Sequence, residues 1–192
     1  MFDSFLLPDL IAHSATRSPD ATALTYGKQS LSYAELQAQV EAFASGLRGI
    51  GLQRGERVAI YLEKRFEAVI ASFGTAAAGG VFVPLNPLLK PEQVSYILRD
   101  CNVRVLVTSN ERLSLLTESL VDCHDLLHVV LTNPEPLPAS TWPINRISWS
   151  ALLAAPAQAG HRIIDSDMAA ILYTSGSTGK PKGVVLSHRN TV

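Results

Sequence analysis

Short apolar runs of strand length, separated by stretches with helical spacing, limit most tightly what this chain can fold into. Arg57 to Leu62, Val81 to Val83, Val103 to Val107, Leu127 to Leu131 and Ala169 to Tyr173 read as strands. Between them lie helical stretches: Glu67 to Ala78, a segment opened by Pro91 with Val94, Ile97 and Leu98 on one face, and Glu111 to Val121 with Leu113, Leu116 and Leu120. An earlier helix starts at Ser32-Tyr33-Ala34-Glu35, a capping box that ties the first turn reciprocally, and Gly51 is its stop. Strands alternating with helices of this length predict βαβ units: an α/β fold with a mostly parallel sheet, helices on both faces and right-handed crossovers.

The stretch Ala68 to Leu89 carries no charge and is long enough to span a bilayer. Gly74, Gly79, Gly80, Pro84 and Pro87 interrupt it, so it reads as a buried helix followed by a buried strand. With 47% hydrophobic and 17% charged residues, the 192-residue chain can fill a core. Sixteen Lys+Arg against 17 Asp+Glu give a net charge of −1, which argues against a nucleic-acid footprint. Met1-Phe2-Asp3-Ser4 lacks the basic start of a signal peptide, and a cytoplasmic location is expected. The two cysteines, Cys101 and Cys123, read as reduced, mostly buried thiols.

Residues 132–146 hold four of the eleven prolines and read as a surface excursion; Pro156 to His161 is a second loop. His124 and His128 have i, i+4 spacing, but they run into an apolar strand with no third ligand, so no metal site is expected. His188 follows Ser187, a candidate N-cap, and is expected at the surface, with a place facing a nucleotide or acyl pocket as the alternative.

The segment richest in chemistry is Thr174-Ser175-Gly176-Ser177-Thr178-Gly179-Lys180-Pro181-Lys182-Gly183, flanked by the apolar strands Ala169 to Tyr173 and Val184 to Leu186. Its ten residues hold four hydroxyls, three glycines and two lysines. Glycines let backbone amides approach a ligand, hydroxyls add neutral donors and lysine adds a mobile charge, a combination that suits a polyphosphate. It is not a Walker loop. Thr174 stands where the first glycine belongs, Pro181 follows Lys180, and a strand rather than a helix leaves the loop. A Walker-type ATP hydrolase is therefore disfavoured.

Tyr173 to Gly183 resembles the signature phosphate loop of the AMP-forming adenylating enzymes, which include acyl-CoA synthetases, luciferase and peptide-synthetase adenylation domains. Leu31-Ser32-Tyr33-Ala34-Glu35-Leu36 and Ala78 to Asn86 are similar to two further segments of that family, in the same order. The run Asn86 to Cys101 is similar to acyl-CoA ligases found with bacterial exosortase systems.

The resemblance implies that a carboxylate joins ATP, with magnesium, to give an acyl-adenylate, followed by a thioester with coenzyme A. Thr174, Ser175, Gly176, Ser177, Thr178 and Gly179 would cradle the β- and γ-phosphates, and Lys182 would neutralise the departing pyrophosphate. The family's adenine, ribose and C-terminal lysine motifs do not occur in these 192 residues. The resemblance thus implies the N-terminal part of a larger adenylating domain, 1–192, without a complete catalytic set of its own. The alternatives are a peptide-synthetase-type amino-acid adenylation domain and a non-catalytic binding module that kept the fold.

Overall fold

In the computed structural model, which describes residues 6–133, 143–174 and 180–192, seven strands form one sheet and two more form a separate ribbon. The ribbon pairs β1 (Thr22–Tyr26) antiparallel with β2 (Gln29–Ser32). It follows a first helix, α1 (Asp9–Arg17), and leads into α2 (Tyr33–Gly49). The capping box at Ser32 forms as expected: Glu35 N–H donates to Ser32 Oγ at 3.2 Å, and Ser32 N–H donates to Glu35 Oε2 at 2.7 Å. Gly51, at φ 95°, turns the chain after α2 into a conformation that side chains disfavour.

The large sheet comprises β3 (Arg57–Tyr61), β4 (Val81–Pro84), β5 (Val103–Thr108), β6 (His128–Leu131), β7 (Asn145–Ser148), β8 (Met168–Thr174) and β9 (Lys182–Ser187). Their order across it is β7-β6-β5-β3-β4-β8-β9. Every neighbouring pair is parallel except β8 and β9, which form an antiparallel hairpin. From β3 the chain steps to β4 on one side and then to β5, β6 and β7 on the other. The order therefore reverses beside β3, and the carboxyl ends of open α/β sheets are where ligands bind at such points.

Strand alternation assigns side chains to two apolar layers. On one face, Val94, Ile97 and Leu98 of α4 (Pro91–Asp100) and Leu113 and Leu116 of α5 (Asn110–Leu116) pack on Ala59, Val83, Leu106 and Val129. On the other, Val40, Phe43 and Leu47 of α2, Ile70 of α3 (Phe66–Ala77) and Leu152 of α6 (Trp149–Leu153) pack on Val58, Ile60, Val105 and Val107. The uncharged stretch 68–89 is core: α3 ends before Gly79 (φ 83°), and Val81 and Val83 are fully buried. Among the described residues no helix is long and apolar enough to cross a membrane.

Three expectations are corrected. The helix expected over Glu111 to Val121 is shorter, because Thr117 Oγ1 donates back to the carbonyls of Leu113 and Ser114 and the chain continues in turns. Leu120 is still buried, whereas Val121 is 64% exposed. The excursion written as 132–146 ends earlier, since Asn145 and Arg146 open β7, parallel to β6. Residues 134–142 lie outside the described residues. Cys123 is buried but Cys101 is only partly so.

Candidate functional site

β8 runs parallel to β4, so its last residue, Thr174, lies at the carboxyl edge of the sheet. Lys182, the first residue of β9, is its direct partner on the last rung of the hairpin. Ser175, Gly176, Ser177, Thr178 and Gly179 lie outside the described residues. The strands entering and leaving the loop are as expected, and no helix follows directly after it.

Pleating gives the hairpin two unlike faces. The rungs Tyr173–Gly183 and Ile171–Val185 turn towards α4, where Ile171 and Tyr173 join the core. The rungs Thr174–Lys182, Leu172–Val184 and Ala170–Leu186 share the opposite face. There Ala170, Leu172 and Leu186 line an apolar groove of about 670 Å³, closed by Leu24, Phe66 and Phe82. Lys180 and Lys182 are exposed. Thr174 and Lys182 share that hairpin face but do not line the groove, whose opposite wall is α3 (Phe66, Val69 and Phe73) and whose own cations are Lys64 and Arg65.

Gly183 matters for space. A Cβ there would lie 2.8 Å from Ile171 Cγ2 and 3.2 Å from Tyr173 Cζ, so only glycine lets the tyrosine ring lie across the hairpin. Tyr173 Oη donates to Asp100 Oδ2 at 2.6 Å. Burial, and then this carboxylate, push the phenol far above its ordinary range, so it stays a protonated donor.

A second hollow, about 550 Å³, opens where the strand order reverses, between the carboxyl ends of β3 and β5. Arg112 spans it. Its guanidinium lies 4.7 Å above the Tyr61 ring, donates to Pro87 O at 2.8 Å and pairs with Glu63. That pairing holds the Glu63 carboxyl below its usual range.

His188 is not at the surface. It is fully buried, and Leu7 N–H donates to its Nδ1 at 3.1 Å, which leaves the proton on Nε2. Ser187 does cap α7 (His188–Thr191), as expected. Arg189 pairs with Asp165 at 2.6 Å and the His188 amide donates to Asp167 O, and together they draw the ring inward. Sequence spacing carried no signal for that, because the covering residue is 181 positions away.

Burial lowers the His188 pKa below the ordinary 6.5, against the opposing pull of Asp167 and Asp9. The unfolded chain therefore binds this proton more tightly than the folded one. The stability it contributes is full above about pH 6.5 and is lost as the pH falls below that value. The urea midpoint is expected to fall between pH 7.5 and 5.5. His188→Gln, whose amide oxygen can still accept from Leu7, should flatten that slope; an unchanged slope would assign it elsewhere, His128 being the other histidine shifted downward. His128 is on β6 with Nδ1 3.4 Å from Asn145 Nδ2, while Asp125 is engaged by Asn102 and Arg104.

A model of the AMP-binding enzyme family matches residues 11–192. Bacitracin synthase 1 of Bacillus licheniformis is 36% identical over 183 residues, covering 95% of this chain and 3% of that protein. Gramicidin S synthase 2 of Brevibacillus brevis is 34% identical over 183 residues, covering 95% and 4%. Among solved structures, the anthranilate CoA ligase AuaEII in complex with anthranoyl-AMP is similar with a TM-score of 0.87 at 26% identity, covering 96% of this chain and 35% of that one. The chain thus spans a few hundredths of the length of these synthases and about a third of the ligase.

Proposed function

Because the chain belongs to the AMP-binding enzyme family, we propose that it supplies the phosphate-gripping part of an enzyme that activates a carboxylic acid with ATP and passes the acyl group to a thiol. The observation that carries this reading is the rung Thr174–Lys182. It stands at the carboxyl edge, unpacked, at the mouth of a loop whose sequence is that of the family. In the reaction a carboxylate oxygen attacks the α-phosphorus, the bond to the bridging oxygen breaks, and pyrophosphate leaves with the electron pair. Thr174, Ser175, Gly176, Ser177, Thr178 and Gly179 would donate to the β- and γ-phosphates, and Lys182 would offset the charge that grows on the leaving group. A thiol sulfur then attacks the acyl carbon and AMP departs.

The donors fit a polyphosphate: lysines, hydroxyls and loop amides, with no carboxylate on the described stems. Magnesium, where the family uses it, would arrive with the nucleotide and help offset the charge on the leaving pyrophosphate beside Lys182.

Coenzyme A is the proposed acceptor, supported by the likeness to a CoA ligase. The similar synthases favour a second reading, an amino acid activated for a carrier-protein thiol. Exchange of labelled pyrophosphate into ATP by the full-length protein tests both. Exchange is expected only when a matching aryl, fatty or amino acid is present, and thioester formation with coenzyme A against carrier protein separates the acceptors. No exchange across all three acid classes would count against adenylation and for a non-catalytic module.

A further inference from the structure

Helix α4 ends on an aspartate, which opposes the helix dipole at a C-terminus. One cation from β3 reaches the carbonyls just beyond it, not the carboxylate itself. Arg57 donates to the carbonyls of Cys101 and, at 2.7 Å, of Asn102, satisfying groups the helix leaves open. Local stability alone gives no reason for a carboxylate at position 100. Its partner does: the Tyr173 phenol, 73 residues away and one residue before Thr174.

One turn earlier on the same face of α4, Tyr96 Oη donates to the carbonyl of Pro181 at 3.4 Å, one residue before Lys182. The helix therefore reaches the end of β8 and the residue leading into β9, each immediately next to a residue of the last rung. Gly183, directly opposite Tyr173, leaves the ring the space it needs to reach Asp100.

Building on the adenylation reading above, we propose that Asp100, acting through Tyr173, and Tyr96, acting through Pro181, are positioning residues that hold Thr174 and Lys182 in the register needed for the pyrophosphate end of ATP. A phenol donating to a carboxylate is a charge-assisted bond, shorter and stronger than a neutral one. Its acceptor is carried on α4, whose end Arg57 ties to β3 through the carbonyls of Cys101 and Asn102, so the strand ends need not be ordered at the moment of reaction.

The test uses full-length protein carrying Asp100→Ala, Tyr173→Phe, the double change, and Asp100→Asn, whose amide oxygen can still accept the phenol proton. Asp100→Ala and Tyr173→Phe are each expected to raise the KM for ATP in pyrophosphate exchange by about tenfold, with the KM for the acid unchanged. The double variant should be no worse than either single one, and Asp100→Asn should recover most of the loss. ATP and acid constants that move together, or activity that falls only with the folded fraction, would reduce the contact to packing and overturn the proposal. Hydrogen exchange at Lys182–Ser187 is read in the same variants without substrate. About tenfold faster exchange in Asp100→Ala than in wild type, with α2 unchanged, supports the pin, and an unchanged rate overturns it. Failure of the adenylation reading shows separately, as wild-type protein that exchanges no pyrophosphate with any acid.

Discussion

Lys182→Ala is expected to slow acid-dependent pyrophosphate exchange by about 10²–10³-fold, the usual loss when one preorganised charge or donor is taken from a developing anion. Lys182 is exposed at the end of β9, so the same change should alter unfolding stability by no more than about 0.5 kcal/mol. Lys182→Arg keeps the charge on a wider, planar head and should recover part of the rate. An alanine variant that exchanges at the wild-type rate removes the role proposed for the lysine. One that loses activity in step with unfolding removes it as well.

Phe43→Ala is expected to cost about 3–5 kcal/mol of folding stability, a large share of the 5–15 kcal/mol typical of a domain. Phe43 has no exposed surface, and its ring centre lies 4.9 Å from that of Trp149. Its far side rests on Gly74 so closely that a Cβ there would sit 2.7 Å from Phe43 Cδ1. One ring therefore bonds α2 to α3 and to α6, and the neighbours cannot close the hole without shifting a helix. Urea denaturation measures the loss. A value below about 1.5 kcal/mol would show that the three helices collapse onto the vacancy, since such small costs are those of volume-conserving swaps.

The sequence made the fold readable where one period ran unbroken and a local signal closed it. Ser32 and Glu35 close α2 within four residues, and Val81 to Val83 follow glycines that end α3, so both ends could be placed. The ribbon Thr22–Ser32, half exposed with only four or five residues per strand, gave too short an alternation to stand out, although Gly27 at its turn (φ 62°) is a usable sign. β7 hid behind four prolines, because its pairing with β6 is decided by a neighbour rather than by its own residues. At the candidate site, Thr174 and Lys182 were legible because the loop that joins them is contiguous. The bond from Tyr173 to Asp100 and the burial of His188 under Leu7 were not, since each joins residues far apart whose types alone name no partner.

Among the described residues β9 lies at the end of the strand order, with Val184 and Val185 about half exposed. A border of that kind invites another strand to add to it, and charged side chains along it are the usual deterrent. Lys182 and Lys180 put two charges at that border, beside the candidate phosphate site. Alanine at position 182 is therefore expected to promote association as well as to slow exchange, and gel filtration of the variant before assay separates the two losses.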